Sequence, residues 1–377
     1  MSQDTGTARL VPRDAADVAA IVAAAVRPLE TVGSGSKRQI GRPVDAQLLD
    51  LGALEGIVDY EPAELVLTAS AATPLATVER ALHAHGQRLA FEPPDFGPLL
   101  GRESGQTIGG VLAANLAGSR RVTAGAARDH FLGFRAVTGR GEPFKAGGKV
   151  VKNVTGYDLP KLLAGSWGTL AVMTEVTIRV APAPELDRTL VVAAGSIGEC
   201  LALLGGALRS SHDVSAAGVD PARGALIRLE GFAASVEART RALCDELRCT
   251  PQEVLDGGTS RDCWHALASG AALAASPVVW RISVPPTDAL QVLERLDTNR
   301  YLVDWGGGLV LLGLDAVDAQ RVRAALTTGH ATLLKAPLAA RAATPVFQPQ
   351  APALAAVAAR LRSAFDPRGI LNPGRMD

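Results

Sequence analysis

Between Phe91 and Gly168 the chain carries a long stretch dense in Gly, Pro, Asn and Thr, with short apolar pieces and no sustained helical or alternating period. In a compact domain the backbone polar groups of such a stretch need partners other than a helix or a sheet ladder, and extended irregular segments are usually functional. Loops are therefore expected to dominate there. Upstream the pattern is regular: an amphipathic helix over Ala15–Val26, with Asp14 placed to cap it and Pro28 to stop it, then a strand over Leu29–Val32 that runs into Gly33-Ser-Gly-Ser-Lys37. Short apolar segments follow at 48–51, 56–60 and 65–68, and a helix opened by Thr73-Pro74 runs to about His85.

Downstream, a strand over Val172–Val180 leads to Ala-Pro-Ala-Pro-Glu at 181–185, where two close prolines cannot continue a central strand and mark a domain junction. Beyond it, strands at Thr189–Ala194, Ala225–Glu230, Val278–Val284 and Leu309–Leu314 alternate with helices at Ile197–Arg209, Ala233–Leu247, Thr287–Leu296 and Ala316–Leu326. This is the texture of an α+β domain with helices on one face of a sheet. A last helix, Leu354–Ala364, precedes the tail, and no internal repeat is evident. With 377 residues, 47% of them hydrophobic and 20% charged, the chain has apolar surface for more than one core, so two domains are expected. Positive and negative side chains balance at 38 each, which excludes a net charge that would hold the chain on nucleic acid or an anionic membrane. No apolar run reaches the roughly 20 residues a bilayer span needs, and the N-terminus has no signal-peptide pattern, so the cytoplasm is the expected location.

Three glycine-rich segments could carry chemistry. In Gly33-Ser34-Gly35-Ser36-Lys37 the glycines let backbone N–H groups converge on an anion, and two hydroxyls and a lysine add donors; a phosphate cradle and a flexible turn both fit. The segment is neither a G-x-G-x-x-G nor a G-x-x-x-x-G-K-[ST] fingerprint. Gly105 to Gly118 packs glycine and alanine closely enough for main chain to approach a flat or extended ligand, with Thr107 and Asn115 as side-chain donors and Arg120, Arg121 and Arg128 following. Tight packing of a small-residue helix is the alternative. Gly147 to Asp158 and then Gly165 to Leu170 repeat the texture, and three such loops suit the walls of one long cofactor site better than three unrelated linkers.

Histidine and cysteine offer less. His83 and His85 diverge by about 200° on a helix and cannot share a metal. His130 suits a structural place, and at His330 a capping role and a site role compete. Cys200, Cys244, Cys249 and Cys263 form no Cys-x-x-Cys pair, so reduced thiols are expected and an iron–sulfur cluster would have to come from a partner.

Taken in order, Gly33–Lys37 with Gly41-Arg-Pro43, Phe91-Glu-Pro-Pro94, Thr107-Ile-Gly-Gly110, Leu116-Ala-Gly-Ser-Arg-Arg121, Val151-Lys-Asn-Val-Thr-Gly-Tyr-Asp158, Asp304-Trp-Gly-Gly307 and Leu371-Asn-Pro-Gly-Arg-Met376 resemble the FAD-binding E-subunit family of bacterial glycolate oxidases. That family lies within the vanillyl-alcohol oxidase and p-cresol methylhydroxylase flavoproteins. The resemblance implies an α+β fold: a two-lobed FAD-binding domain of the p-cresol methylhydroxylase (PCMH) type over 1–182, a smaller ferredoxin-like cap domain over 183–345, and a segment at 346–377 returning to the first domain. It implies non-covalent FAD, because Gly33 to Gly41 contains none of the histidines that some members use for attachment. Gly33, Ser34, Gly35, Ser36, Lys37, Gly41 and Pro93 would serve the cofactor. Gly105, Thr107, Gly109, Gly110, Ala113, Asn115 and Gly118 would contact the pyrophosphate together with the 33–37 loop, and Arg121 and Arg128 would also serve the cofactor. Gly168, Thr169, Glu175 and Ile178 would line the adenosine end. Related 2-hydroxyacid dehydrogenases carry an H-x-G-D-G-N-x-H stretch that binds metal beside the substrate, whereas Val303 to Val310 here has no histidine. The resemblance therefore implies a flavin held for electron relay or support, beside a catalytic flavoprotein subunit and an iron–sulfur subunit of a complex oxidising a short 2-hydroxyacid such as glycolate. The complex could reach the inner membrane through those partners. A non-catalytic assembly subunit and a free-standing oxidase are the alternatives.

Overall fold

The computed structural model describes residues 9–102, 105–148 and 157–377. The Asp14 carboxylate accepts from the Asp17 amide at 2.8 Å and opens a helix over Ala15–Ala24, whose Val18 and Val22 are buried. They pack on a parallel pair of strands, β1 (Leu29–Val32) and β2 (Gln47–Asp50). The C-terminal tail closes this small lobe, with Ile370 and Leu371 in its core and the Leu29 amide donating to the Ile370 carbonyl at 2.7 Å.

The second lobe is a five-stranded antiparallel sheet. In chain order its strands are β3 (Ile57–Glu61), β4 (Val66–Ser70), β6 (Phe131–Thr138), β7 (Pro143–Gly147) and β8 (Ala171–Arg179), paired as β3-β4-β8-β6-β7. The short strand β5 (Gln87–Arg88) instead pairs with β9 (Ala181–Pro182). β6 corrects the expectation that loops dominate after Phe91. Its eight residues lie between β7 and β8, and small or polar members such as Gly133, Arg135 and Thr138 interrupt the apolar run that would have announced it.

The remaining sheet has eight strands: β10 (Leu186–Val192), β11 (Val214–Asp220), β12 (Gly224–Gly231), β13 (Glu253–Asp256), β14 (Val278–Ser283), β15 (Tyr301–Asp304), β16 (Leu309–Leu314) and β17 (His330–Lys335). Their order, β13-β10-β12-β11-β15-β16-β14-β17, reads 4-1-3-2 and then 2-3-1-4. The connections run strand–helix–strand–strand–helix–strand twice, so the region is two ferredoxin-like units joined edge to edge where Val219 of β11 faces Val303 of β15. This is a structural repeat that the sequence did not announce. Helices Ile197–Arg209, Ala233–Leu247, Ala289–Leu296 and Ala319–Ala324 supply the crossovers, and one core holds their apolar faces against the sheet.

Strand alternation divides the eight-stranded sheet cleanly. Val278, Trp280, Ile282, Val310, Leu312 and Leu333 belong to the helix-side core. Val279, Leu309, Leu311 and Leu334 belong to the core shared with the five-stranded sheet. The second face therefore looks onto the first domain, and helix Gly257–Ser269 is tucked there through Trp264 and Leu267. Among the described residues no helix is long and apolar enough to cross a membrane.

Candidate functional site

A solvent-open cleft of about 770 Å³ lies between the two lobes of the first domain. Its walls bring together the 33–37 loop, Thr107, Gly109, Gly110 and Ala113 from the second glycine segment, and Trp167-Gly168 from the third. The remainder of that third segment, 149–156, lies outside the described residues.

The walls are close because they lack side chains. A Cβ on Gly33 would stand 2.5 Å from Thr107 Oγ1, and one on Gly109 would stand 2.6 Å from the Ala71 carbonyl oxygen. Gly168 adopts φ +71°, and a Cβ there would stand 2.6 Å from Asn372 Nδ2. Thr107 caps the short helix Ile108–Ala113 by accepting from the Gly110 amide at 3.3 Å. Three cations line this cleft: Arg38 and Arg375, both paired with Glu30, and Lys37. The Lys37 ammonium donates to Gln106 Oε1 at 3.0 Å and to Ser36 Oγ at 3.3 Å, and no ion pair holds it among the described residues. Burial pushes the lysine down to about 8, with Asp95 acting weakly the other way.

Several other expected residues stand elsewhere. Gly41 (φ +88°) packs on Arg375, and Pro93 lines a separate cavity. Gly105 (φ +144°) faces open space and is not among the cleft walls. Asn115 Oδ1 accepts from the Arg128 amide at 3.0 Å, while Gly118 packs on the Glu92 carbonyl and Arg121 reaches towards Trp305. Thr169 donates to the Ser166 carbonyl at 2.7 Å. Glu175 is paired with Arg135 at 3.2 Å, and Ile178 is sealed in the core. Trp167, Asn372 and Arg375 are cleft residues that fall in segments singled out in the sequence, 165–170 and 371–376, but were not expected individually as site residues. Asn372 Nδ2 donates to the Trp167 carbonyl at 2.9 Å and its Oδ1 accepts from the Thr31 amide at 3.0 Å, at φ +45°. The Asn-Pro-Gly turn was the available signal.

A second constellation forms where the cap sheet meets the 118–121 loop. Trp305 Nε1 donates to the Gly118 carbonyl at 2.9 Å, and Ser119 Oγ donates to Asp304 Oδ2 at 2.6 Å. The other Asp304 oxygen accepts from the Trp305 amide at 2.7 Å. Burial pushes the Asp304 carboxyl up to about 7, outweighing these two hydrogen bonds and Arg281. Because its folded-state value lies above the ordinary 3.8, the stability it contributes is complete below that value and is lost as pH rises through about 7. Asp304→Asn keeps an acceptor for the Trp305 amide, lets the side-chain NH2 donate to Ser119 Oγ instead of accepting from it, and removes the titration. Denaturant unfolding at pH 5 and pH 8 is expected to show the native chain losing about 2–3 kcal/mol relative to the variant. Equal pH dependence of the two proteins would rule out a buried, protonating carboxyl. Among the described residues no group of histidine, cysteine, aspartate or glutamate is arranged to hold a metal ion.

The comparisons agree with this layout. Residues 7–147 match the family described as FAD binding domain. Glycolate oxidase subunit GlcE of Escherichia coli is 37% identical over 353 residues, 93% of this chain and 92% of that one. An uncharacterized FAD-linked oxidoreductase of Mycobacterium tuberculosis is 26% identical, covering 92% of this chain and 85% of its own length. Glycolate oxidase subunit GlcD of Bacillus subtilis is 36% identical over 127 residues, 33% of this chain and 26% of its own. Among solved structures, alkyldihydroxyacetonephosphate synthase superposes with a TM-score of 0.65 over 96% of this chain and 76% of its own, at 15% identity, a likeness of fold. Glycine-walled lobes closing on a lysine, a cap sheet facing them and near full-length identity converge, and the chain belongs to the GlcE family of FAD-binding oxidoreductase subunits.

Proposed function

We propose that the chain is the FAD-binding subunit of a glycolate oxidase complex, holding the cofactor non-covalently and serving electron relay or support beside a catalytic flavoprotein subunit and an iron–sulfur subunit. The observation that carries this is Lys37: an ammonium without an ion-pair partner among the described residues, in a cleft where a Cβ on Gly33, Gly109 or Gly168 would strike the neighbouring wall. A diphosphate brings about two negative charges, and burying them takes several charge-assisted hydrogen bonds. Lys37, the Ser34 and Ser36 hydroxyls and the loop amides are a donor set of that kind. Gly33, Gly109, Gly110 and Gly168 would let main chain approach the cofactor, and Trp167, Ala171 and Met173 offer apolar surface on the same walls. When bound, FAD supplies a two-electron acceptor that can pass electrons on singly. The chain's own work is to bind it, orient it and keep water from its buried parts.

The test is a visible spectrum of the purified chain, followed by release and identification of any flavin. A yellow protein containing FAD is expected. Lys37→Met should weaken FAD binding by about 10- to 100-fold, the cost of losing charge-assisted bonds. A colourless chain that stays empty with added FAD would overturn the proposal.

A further inference from the structure

We propose that Arg281 and Arg121, both stacked on Trp305 where the cap sheet meets the first domain, form a recognition site for a small carboxylate, so that this subunit itself holds a substrate-class anion. That the anion is a short 2-hydroxyacid rests on the reading above. The guanidinium carbons lie 4.8 Å (Arg121) and 5.0 Å (Arg281) from the Trp305 ring centroid. An indole face steadies a planar guanidinium without using its N–H donors, which stay directed outward in the plane.

The contrast with another arginine on the same sheet face is informative. Arg228 is ringed by Asp187, Glu92 and Glu230. Among the described residues, Arg281 and Arg121 have no ion pair and no side-chain hydrogen bond to the protein. Asp304 is the carboxylate whose charge Arg281 feels, yet both its oxygens are committed, to Ser119 and to the Trp305 amide. Two like charges are thus held together with carboxylates acting on them only at a distance, Asp304 on Arg281 and Asp129 on Arg121. Burial and the repulsion of Arg121 push Arg281 down to about 10, which an incoming anion would relieve.

Strand register places further polar side chains beside Arg281. Arg281 faces Thr332, and Ser283 faces His330, across β14 and β17. Alternation puts all four on the face turned to the first domain. His330 is exposed at the start of β17, and partial desolvation with Arg281 and Arg121 nearby lowers its imidazole, favouring the neutral form that can hydrogen-bond a hydroxyl. Trp305 itself adopts φ +56°, a conformation that bulky side chains avoid and that clusters at functional sites. The latch from Trp305 to Gly118 ties the two arginines to the loop that leaves the second glycine segment.

The experiment titrates the purified chain, with and without FAD, with oxalate and with glycolate. It reads binding by calorimetry and by quenching of tryptophan fluorescence. Saturable binding is expected, weakened about 10- to 100-fold in Arg281→Gln and in Arg121→Ala, each losing charge-assisted donors. Arg121 is exposed, so its variant should fold even where the Arg281 variant does not; circular dichroism checks both. Trp305→Phe removes both the indole face and the latch to Gly118, so it should weaken calorimetric binding as well as lose the quench. Unchanged affinity in both arginine variants, no binding to the native chain, or sulfate binding as tightly as oxalate would each overturn the proposal. Flavin absorbance followed in the same samples separates the two readings. A chain that takes up FAD but not the anion sinks this site alone, and one that binds the anion but stays empty with added FAD sinks the flavin reading alone.

Discussion

Gly110→Val is expected to leave the fold intact and to lower FAD affinity at least 100-fold, whereas Gly109→Val should fail to fold stably. The two glycines are neighbours on one short helix and line one cleft, yet their surroundings differ. A Cβ on Gly109 would meet backbone, the Ala71 carbonyl at 2.6 Å and the Ala71 Cα at 3.1 Å, and neither can move without disturbing the sheet. Overpacking of that kind costs about 1–3 kcal/mol or more. On Gly110 the nearest atoms are Thr107 Oγ1 at 3.1 Å and the Lys37 ammonium at 3.9 Å, both side-chain ends. The added bulk would therefore displace Lys37 and occupy the space proposed for the diphosphate. FAD titration together with thermal unfolding checks both halves. Gly110→Val also distinguishes a cofactor-using subunit from an assembly scaffold: in the reconstituted complex, assembly with lost activity favours the first, and assembly with full activity the second.

What could be read in the sequence and what could not divides by range of interaction. The strand at Leu29–Val32, the glycine turn after it and helices such as Ile197–Arg209 and Ala233–Leu247 are set by local patterning, and the structure places them within a residue or two of expectation. Gly33 to Lys37 could be read as an anion loop because glycine followed by hydroxyls and a lysine states a backbone requirement within five residues. Its meeting with Thr107 is a contact made only by the packed lobes. The duplicated cap stayed hidden for a similar reason. β11, Val-Ser-Ala-Ala-Gly-Val-Asp, and β15, Tyr-Leu-Val-Asp, are too small or too short to announce themselves, and pairing with neighbours makes them strands. Glu175 and Ile178 show the opposite failure: they fall in a plausible segment, but alternation along β8 turns one to an ion pair with Arg135 and the other into the core. Arg281 and Trp305 lie far apart in sequence, and only the antiparallel pairing of β14 with β16, and of β16 with β15, brings them into contact.

Arg228→Met is expected to destabilise the protein by about 3–5 kcal/mol at pH 7, and by much less at pH 4. The guanidinium is 1% exposed, pairs with Asp187, with Glu92 at 2.8 Å and with Glu230 at 3.3 Å, and joins the cap sheet to the first domain. Arg88, and Arg120 at 2.8 Å, reach Glu230 from the other side. Burial alone would push the Glu230 carboxyl up, but Arg228, Arg120 and Arg88 together hold it at about 2, below its ordinary 4.5. Its contribution to stability is therefore present above about 4.5 and is lost as pH falls towards 2. Without Arg228 the balance reverses: methionine fills much of the volume, but buried carboxylates lose their main counter-charge, and folding then favours their protonated forms. The variant's deficit should shrink as pH falls from 7 to 4, when those acids can take up protons. Adding Asp187→Asn to Arg228→Met should recover much of the loss at pH 7, because the penalty arises from stranded charge and not from missing contact area, and Glu230 keeps Arg88 and Arg120. Urea unfolding of the three proteins at both pH values decides the matter, and a deficit independent of pH would assign Arg228 a packing role instead.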